Sequence, residues 1–294
     1  MTTLLAPVAA ALFTTIILML VLRRVASKVG LVDMPGGRKT HHGEVPVVGG
    51  IAMYLGALVA VLQTGESVSA EIEVLVASGM MVAIGALDDR FDLRPRVRVV
   101  VHVLAAVTLV LATGFRVESL GNLFGLGDIV LGPLAFPFTV LATVALINAF
   151  NMLDGVDGIA GGVALVALAG LSFHLVPAGS MAATITLALA GAVVGFLVFN
   201  LPARFNRQRL VFMGDAGSTL LGFALAGLAL VAVQPQSGGG APPALVLWML
   251  PVPIVELFTS TIRRLVNGTS PMQADRGHFH HRLLDAGFSV RAVF

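Results

Sequence analysis

The chain has 294 residues, of which 57% are hydrophobic and only 12% charged. That is more apolar and far less charged than a water-soluble domain, which excludes an ordinary soluble fold. The net charge of +2 is spread over short basic segments beside apolar runs, a distribution that suits anionic lipid and phosphorylated substrates and argues against a nucleic-acid partner. Cysteine is absent, so disulfides and thiolate metal sites are ruled out.

Apolar runs occupy 3–22, 47–63, 74–87, 97–113, 129–147, 159–176, 181–199, 217–233 and 243–262. Each approaches the length a helix needs to cross about 30 Å of hydrocarbon. They predict an all-α, polytopic integral membrane protein with about nine transmembrane helices, forming one domain over 1–294. The runs at 47–63 and 74–87 are short, and would span by gaining a few residues. The first run has no basic flank before it and is followed by Arg23, Arg24 and Lys28, the reverse of a cleavable signal peptide. It is expected to stay in the membrane with the N-terminus outside. If the spans alternate, every one of the 18 Lys and Arg residues except Arg116 falls on or beside the segments 23–46, 88–96, 148–158, 200–216 and 263–294. The positive-inside rule makes those segments cytoplasmic, and they also hold the grouped carboxylates.

The first of them reads VGLVDMPGGRKTHHGEVPVVGGIA (29–52). A Pro-Gly-Gly turn is followed by Arg38, Lys39, His41 and His42, positive charge suited either to a lipid phosphate or to plain topology. In GALDDRFDLRPRVR, which starts at Gly85, Asp88 and Asp92 are four apart and share a helix face, with Asp89 beside them. Grouped anions call for a divalent cation, or else for a solvated salt-bridge belt with Arg90, Arg94 and Arg96. In NAFNMLDGVDGIAGG (148–162), Asn148, Asn151, Asp154 and Asp157 recur every three residues and glycines follow. Amides and carboxylates in this pattern can bond a base, a ribose or metal-bound water, and glycines let the backbone come close to a ligand.

In VFMGDAGSTLLGF (211–223), Asp215 stands at the mouth of an apolar helix, where it caps the helix or holds a cation, and Phe212 offers a stacking surface. The last polar segment contains Arg276, His278, His280 and His281, a cluster able to hold a diphosphate. Zinc is the rival reading, but H-E-x-x-H is missing. His102 and His174 are lone residues in or beside spans, expected to be packed and hydrogen-bonded. A polytopic transporter would carry its polar residues at mid-span, whereas nearly all of these lie in the loops.

In their order, LVDMPGGRKTHHGEVPVVGG, LDDRFD, NAFNMLDGVDG, VFMGDAGS and DRGHFHH resemble the polyprenyl-phosphate N-acetylhexosamine-1-phosphate transferases, the WecA/TagO/MraY superfamily. The resemblance implies a multi-pass enzyme of the bacterial inner membrane that takes a UDP-sugar and a polyprenyl phosphate and uses magnesium or manganese. It implies catalytic roles for Asp88, Asp89 and Asp215, with Asp215 and Asn151 at the metal. It also implies uracil contacts from Asp157 and Phe212, a nucleotide pocket lined by Asn148, Asn151 and Asp154, the prenyl phosphate at Lys39, and a sugar-diphosphate clamp at Arg276, His278, His280 and His281. The DRGHFHH form and the 200–209 segment resemble the WecA branch, which points to N-acetylglucosamine-1-phosphate as the group transferred; the muramoyl-pentapeptide branch shows three adjacent histidines, absent here. Relatives commonly have Asp in the stretch PVPIVELF, where this chain has Glu256, to which no role is assigned. They also continue into one or two further spans, whereas this sequence stops at Phe294. A homodimer is compatible with all of these expectations.

Overall fold

The computed structural model describes residues 2–34, 43–65, 71–201, 210–235, 240–268 and 278–293. Helices dominate: α1 (Thr2–Val29), α2 (Gly49–Leu62), α3 (Ile72–Phe91), α4 (Pro95–Thr113), α5 (Ala135–Leu153), α6 (Ile159–Leu175), α7 (Met181–Asn200), α8 (Gly214–Ala232), α9 (Pro243–Trp248), α10 (Pro251–Val266), α11 (Phe279–Asp285) and α12 (Val290–Val293). A two-stranded antiparallel ribbon, β1 (Val32–Asp33) with β2 (Val45–Pro46), joins α1 to α2. The expected all-α polytopic architecture is observed.

Among the described residues, six helices are long and apolar enough to cross a bilayer, built on α1, α4, α5, α6, α7 and α8. Their outer faces carry large apolar side chains in the open, among them Phe13 and Ile17 on α1, Leu111 on α4 and Phe173 on α6. In water such a surface would associate; against lipid it is the stable arrangement. The chain is a multi-pass membrane protein. Of the three remaining apolar runs, 47–63 forms α2, whose 14 residues reach about 21 Å at the helical rise. The run at 74–87 lies within α3, which continues through Asp88, Asp89 and Arg90.

The run expected as one span at 243–262 is divided. Helix α9 ends at Trp248, and α10 restarts at Pro251, because Pro251 and Pro253 have no N–H to continue the ladder of the preceding turn. Helix α10 is also inside-out. Val252, Val255, Phe258, Ile262 and Leu265 are exposed, while Glu256, Ser260 and Arg264 are buried. An apolar outer face with a polar inner one is what a hydrocarbon solvent selects.

Helix α8 is the central element. It is buried along nearly all of its length and is packed by α2, α3, α5, α6 and α7. Small residues set its closest crossings. A Cβ on Gly50 would fall 2.2 Å from the backbone nitrogen of Gly217, and one on Gly85 would fall 2.4 Å from Cα of Ala216. The first turn of α8 is therefore enclosed by the backbones of α2 and α3, which van der Waals packing of membrane helices permits only at small residues. The segment before α8 is sewn to the one before α2. Phe212 N–H donates to Pro46 O at 2.9 Å, while Gly49 N–H and Gly50 N–H donate to Phe212 O and Met213 O, each at 3.0 Å.

Replacing Gly50 by Ala should separate α2 from α8. The thermal midpoint of the detergent-purified protein is expected to fall by the equivalent of about 1–3 kcal/mol, the usual cost of overpacking. An unchanged midpoint would mean that the two helices do not meet this closely.

Candidate functional site

Four segments deliver polar side chains to the mouth of α8. The end of α3 supplies Asp88 and Asp89, the start of α4 supplies Arg98, the end of α5 supplies Asn151 and Asp154, and α8 itself supplies Asp215 and Ser218. The residues are 88 to 218 in the sequence, so only the tertiary fold assembles them.

Asp89 caps α8. Its Oδ1 accepts from Asp215 N–H at 2.7 Å and its Oδ2 from Ala216 N–H at 3.1 Å. These are two of the donors that a helix leaves unpaired at its first turn, and a carboxylate there also meets the positive end of the helix dipole. Gly214 makes the approach possible, since it has φ +69° and a Cβ there would lie 2.5 Å from Asp89 Oδ2. The cap expected of Asp215 is thus supplied by Asp89, because the start of α8 faces the end of α3 and a residue from outside the helix reaches both amides.

The carboxylate of Asp215 is released to the site. Its Oδ1 accepts a short hydrogen bond from Asn151 Nδ2, which also donates to Ser218 Oγ at 3.1 Å. Its Oδ2 lies 3.4 Å from the guanidinium of Arg98. Asp88 meets the same guanidinium at 2.9 Å through Oδ2, and its Oδ1 accepts from Leu93 N–H at 2.7 Å. The salt-bridge belt expected with Arg90, Arg94 and Arg96 is replaced at Asp88 by a single bridge to Arg98. The chain turns at Leu93 and Arg94 and restarts at Pro95, and this folds α4 back so that Arg98 faces Asp88. Asp92 does not share a face with Asp88. It ends α3 in the left-handed conformation at φ 50° and is exposed.

The cluster carries more negative charge than Arg98 offsets. At the end of α3, burial and the neighbouring charge of Asp215 push the pKa of Asp89 up to about 7, against the opposing pull of its two backbone hydrogen bonds. Asp154, the C-cap of α5, keeps a little surface open, yet most of its surroundings are protein. Burial and the charges of Asp215, Asp89 and Asp157 hold its pKa well above the ordinary carboxylate value. In both, burial is the larger cause and the neighbouring carboxylates add to it.

Among the described residues, no group of three or more acidic or histidine side chains is placed to hold a metal ion by itself. The carboxylates of Asp215 and Asp88 are nonetheless hard oxygen donors, and Asn151, whose Nδ2 faces Asp215, has an amide oxygen of the same kind. Magnesium is commonly held by one or two carboxylates, with waters and substrate phosphates completing the shell. An open arrangement at Asp215, Asn151 and Asp88 fits that habit, and the uncompensated charge fits a divalent cation.

The other expected site residues are distributed as follows. Asn148 is on the last turns of α5, but its amide donates to Val144 O at 2.8 Å on its own helix. Asp157 is in the turn after α5, which Asn200 anchors by accepting from Gly158 N–H at 2.7 Å while donating to Val211 O at 3.0 Å. Phe212 is half-buried in the strand-like segment before Gly214. His278 is buried and held by Glu256 and Ser260 on α10. His280 and His281 are in α11 by their backbone, and their side chains lie outside the described residues, as do Lys39 and Arg276 entirely. His102 is buried without a hydrogen-bond partner at Nδ1 among the described residues, so it is packed but not bonded as expected there.

Residues 72–233 match the family model of glycosyl transferase family 4. The undecaprenyl-phosphate alpha-N-acetylglucosaminyl 1-phosphate transferase of Yersinia pestis is 38% identical over 277 residues, covering 93% of this chain and 75% of the relative. The enzymes of the same name from Salmonella typhi and Escherichia coli K12 are 38% and 37% identical over 284 residues, covering 96% of this chain and 77% of each relative. The chain belongs to glycosyl transferase family 4.

In this family 4 member, two polar residues to which the sequence assigns no role take part in the polar contacts. Arg98 is ten residues beyond Asp88 and opens an apolar helix, so spacing gives no sign that they meet. Glu256 does carry a signal, as a lone acid in an apolar run, which is costly without a partner.

The division of labour between Asp89 and Asp215 has a thermodynamic consequence. Without divalent cations, Asp89→Ala is expected to lower stability by about 1–2 kcal/mol, as loss of a helix cap does. Asp215→Ala, which relieves repulsion from Asp88, should leave stability unchanged or raise it. Thermal unfolding of both variants checks this, and equal losses would contradict the assignment.

Proposed function

We propose that the chain transfers N-acetylglucosamine-1-phosphate from UDP-N-acetylglucosamine to undecaprenyl phosphate and releases UMP. The observation that carries the reading is the meeting of Asp88 and Asp215 at Arg98, with Asn151 bonded to Asp215, at the mouth of α8. The names of the relatives support the acceptor and the sugar. In the reaction, an oxygen of the lipid phosphate bonds to the sugar-bound phosphorus. The bond from that phosphorus to the bridging oxygen breaks, and the oxygen departs with UMP, so one phosphoanhydride replaces another.

The acceptor phosphate is already ionised near neutral pH, so positioning and charge neutralisation outweigh proton removal. Asp215 and Asn151, with Asp88 beside them, would hold magnesium, or manganese in its place. That ion, when bound, would offset the phosphate charges and align them. Arg98 keeps Asp88 and Asp215 side by side and lends positive charge to the same place. Asp89 acts through the α8 backbone, fixing Asp215 beside the reacting phosphates. Asp154, Asp157, Phe212 and Asn148 would line the nucleoside end. Lys39 would meet the lipid phosphate, and Arg276, His278, His280 and His281 would hold the sugar diphosphate.

The distribution of Lys and Arg supports a cytoplasmic active site in a bacterial inner membrane, with the N-terminus outside. The chain is read as one membrane-embedded unit of about nine crossings, with α2 and the α9–α10 pair as its short or broken members. A homodimer is compatible with this arrangement.

UMP release by the purified protein, with undecaprenyl phosphate and a panel of UDP-sugars, tests the proposal. UDP-N-acetylglucosamine should be the preferred donor, EDTA should stop turnover, and added magnesium or manganese should restore it. Asp215→Asn should remove activity while the protein stays folded; full activity in that variant would refute its role at the metal.

The nucleoside end is tested separately. Asp157→Ala removes a contact to a base that does not react, so KM for the donor should rise and UMP inhibition should weaken together, by about 1–3 kcal/mol. Unchanged UMP inhibition would sink this assignment.

A further inference from the structure

Glu256 is buried in the middle of α10, a helix whose other face is apolar and exposed. A carboxylate in such a place is unfavourable unless donors surround it. Here three do. Ser260 Oγ–H donates to Oε1 at 2.9 Å, His278 Nδ1 meets the same oxygen at 2.7 Å, and the backbone N–H of Phe279 donates to Oε2 at 3.1 Å. Both His278 and Phe279 belong to the histidine-rich segment, and α11 begins at Phe279. The single side chain of Glu256 therefore ties a ring and a backbone of that segment to α10, and α10 packs on α5, the helix that ends in Asn151 and Asp154.

We infer that Glu256 is a positioning residue for the transfer reaction: it fixes the ring of His278 and the start of α11 against α10, so that the histidine segment is held at the same end of the bundle as the Asp215 site. This rests on the transferase reading above. Facing a carboxylate, Nδ1 of His278 carries the hydrogen, which settles the tautomer and the plane of the ring. Ser260, one turn further along α10 and also within 3.4 Å of Nδ1, keeps Glu256 in place. A histidine held in this way loses little freedom when a substrate diphosphate arrives, and preorganised charge acts on the transition state more than on ground-state binding.

The inference separates Glu256 from a residue that merely staples two helices. Glu256→Gln keeps the size and one acceptor oxygen but removes the charge and one of the two acceptors. With undecaprenyl phosphate saturating, its kcat should fall about tenfold or more, while KM for UDP-N-acetylglucosamine and inhibition by UMP change less than about threefold. In a His278→Ala background the same substitution should cost less than about threefold further, because its effect passes through the ring. Wild-type turnover is measured first on the donor panel, and the cycle is run on whichever UDP-sugar the enzyme uses. Failure with N-acetylglucosamine then strikes the donor assignment, not Glu256. Should Glu256→Gln not accumulate as folded protein, Ser260→Ala replaces it, with a smaller fall in kcat that also vanishes when His278 is Ala. Full activity in the folded variant, losses that multiply across the cycle, or UMP inhibition weakened in step with kcat would each overturn the inference.

Discussion

The carboxylate of Asp89 accepts from the backbone of Asp215 at 2.7 Å and from that of Ala216 at 3.1 Å, and through these bonds the end of α3 and the start of α8 become one unit. The bonds require a close approach of three backbones, and the sequence supplies it with Gly50, Gly85 and Gly214. Larger residues there would push α2 or α3 away and take from the first amides of α8 the acceptor that Asp89 supplies. The site's geometry follows from this contact. With the cap provided from α3, the side chain of Asp215 has no duty to its own helix and turns toward Asn151 and Arg98.

A second constraint is electrostatic. Asp88, Asp89, Asp154 and Asp215 come together in a part-buried place where Arg98 is the cation that bonds two of them. The raised pKa values of Asp89 and Asp154 express the cost of this arrangement. The bundle tolerates that cost because its apolar packing is extensive, with α8 enclosed by five other helices. A site rich in anions does not by itself attract anionic substrates. It fits them only through a bridging cation, and this makes the acidic cluster and a divalent ion parts of one proposal.

Much of this was legible in the sequence because the bilayer leaves few options. Apolar runs of span length identify helices, and groups of Asp and Asn at their ends stand out from an apolar background. The motif at 148–157 and Asp215 were found in this way, and the fold brings Asn151, Asp154 and Asp215 together. Other features depend on tertiary contact and leave no periodic trace. Whether Asp89 or Asp215 caps α8 is decided by the facing of two helix ends. The partner of Asp88 is Arg98, beyond a turn and a proline, and not the nearer Arg90, Arg94 or Arg96. The division at Trp248 and Pro251 is hidden in an apolar run, although the prolines at 251 and 253 mark where the hydrogen-bond ladder fails.

Helix α10 shows how the solvent shapes such a site. In water, an amphipathic helix buries its apolar stripe and exposes its charges; here Glu256, Ser260 and Arg264 turn inward and Val255, Phe258 and Ile262 turn outward. Lipid removes any gain from hiding the apolar side chains, so the polar groups decide which face points to the bundle. Once inside, a carboxylate must find donors, and the nearest to Glu256 are Ser260 on its own helix and the His278–Phe279 backbone and ring that follow the last polar loop. The same scarcity of water that makes Glu256 costly also strengthens its bonds. The contact therefore holds the ring of His278 and the start of α11 against α10, the helix that packs on α5.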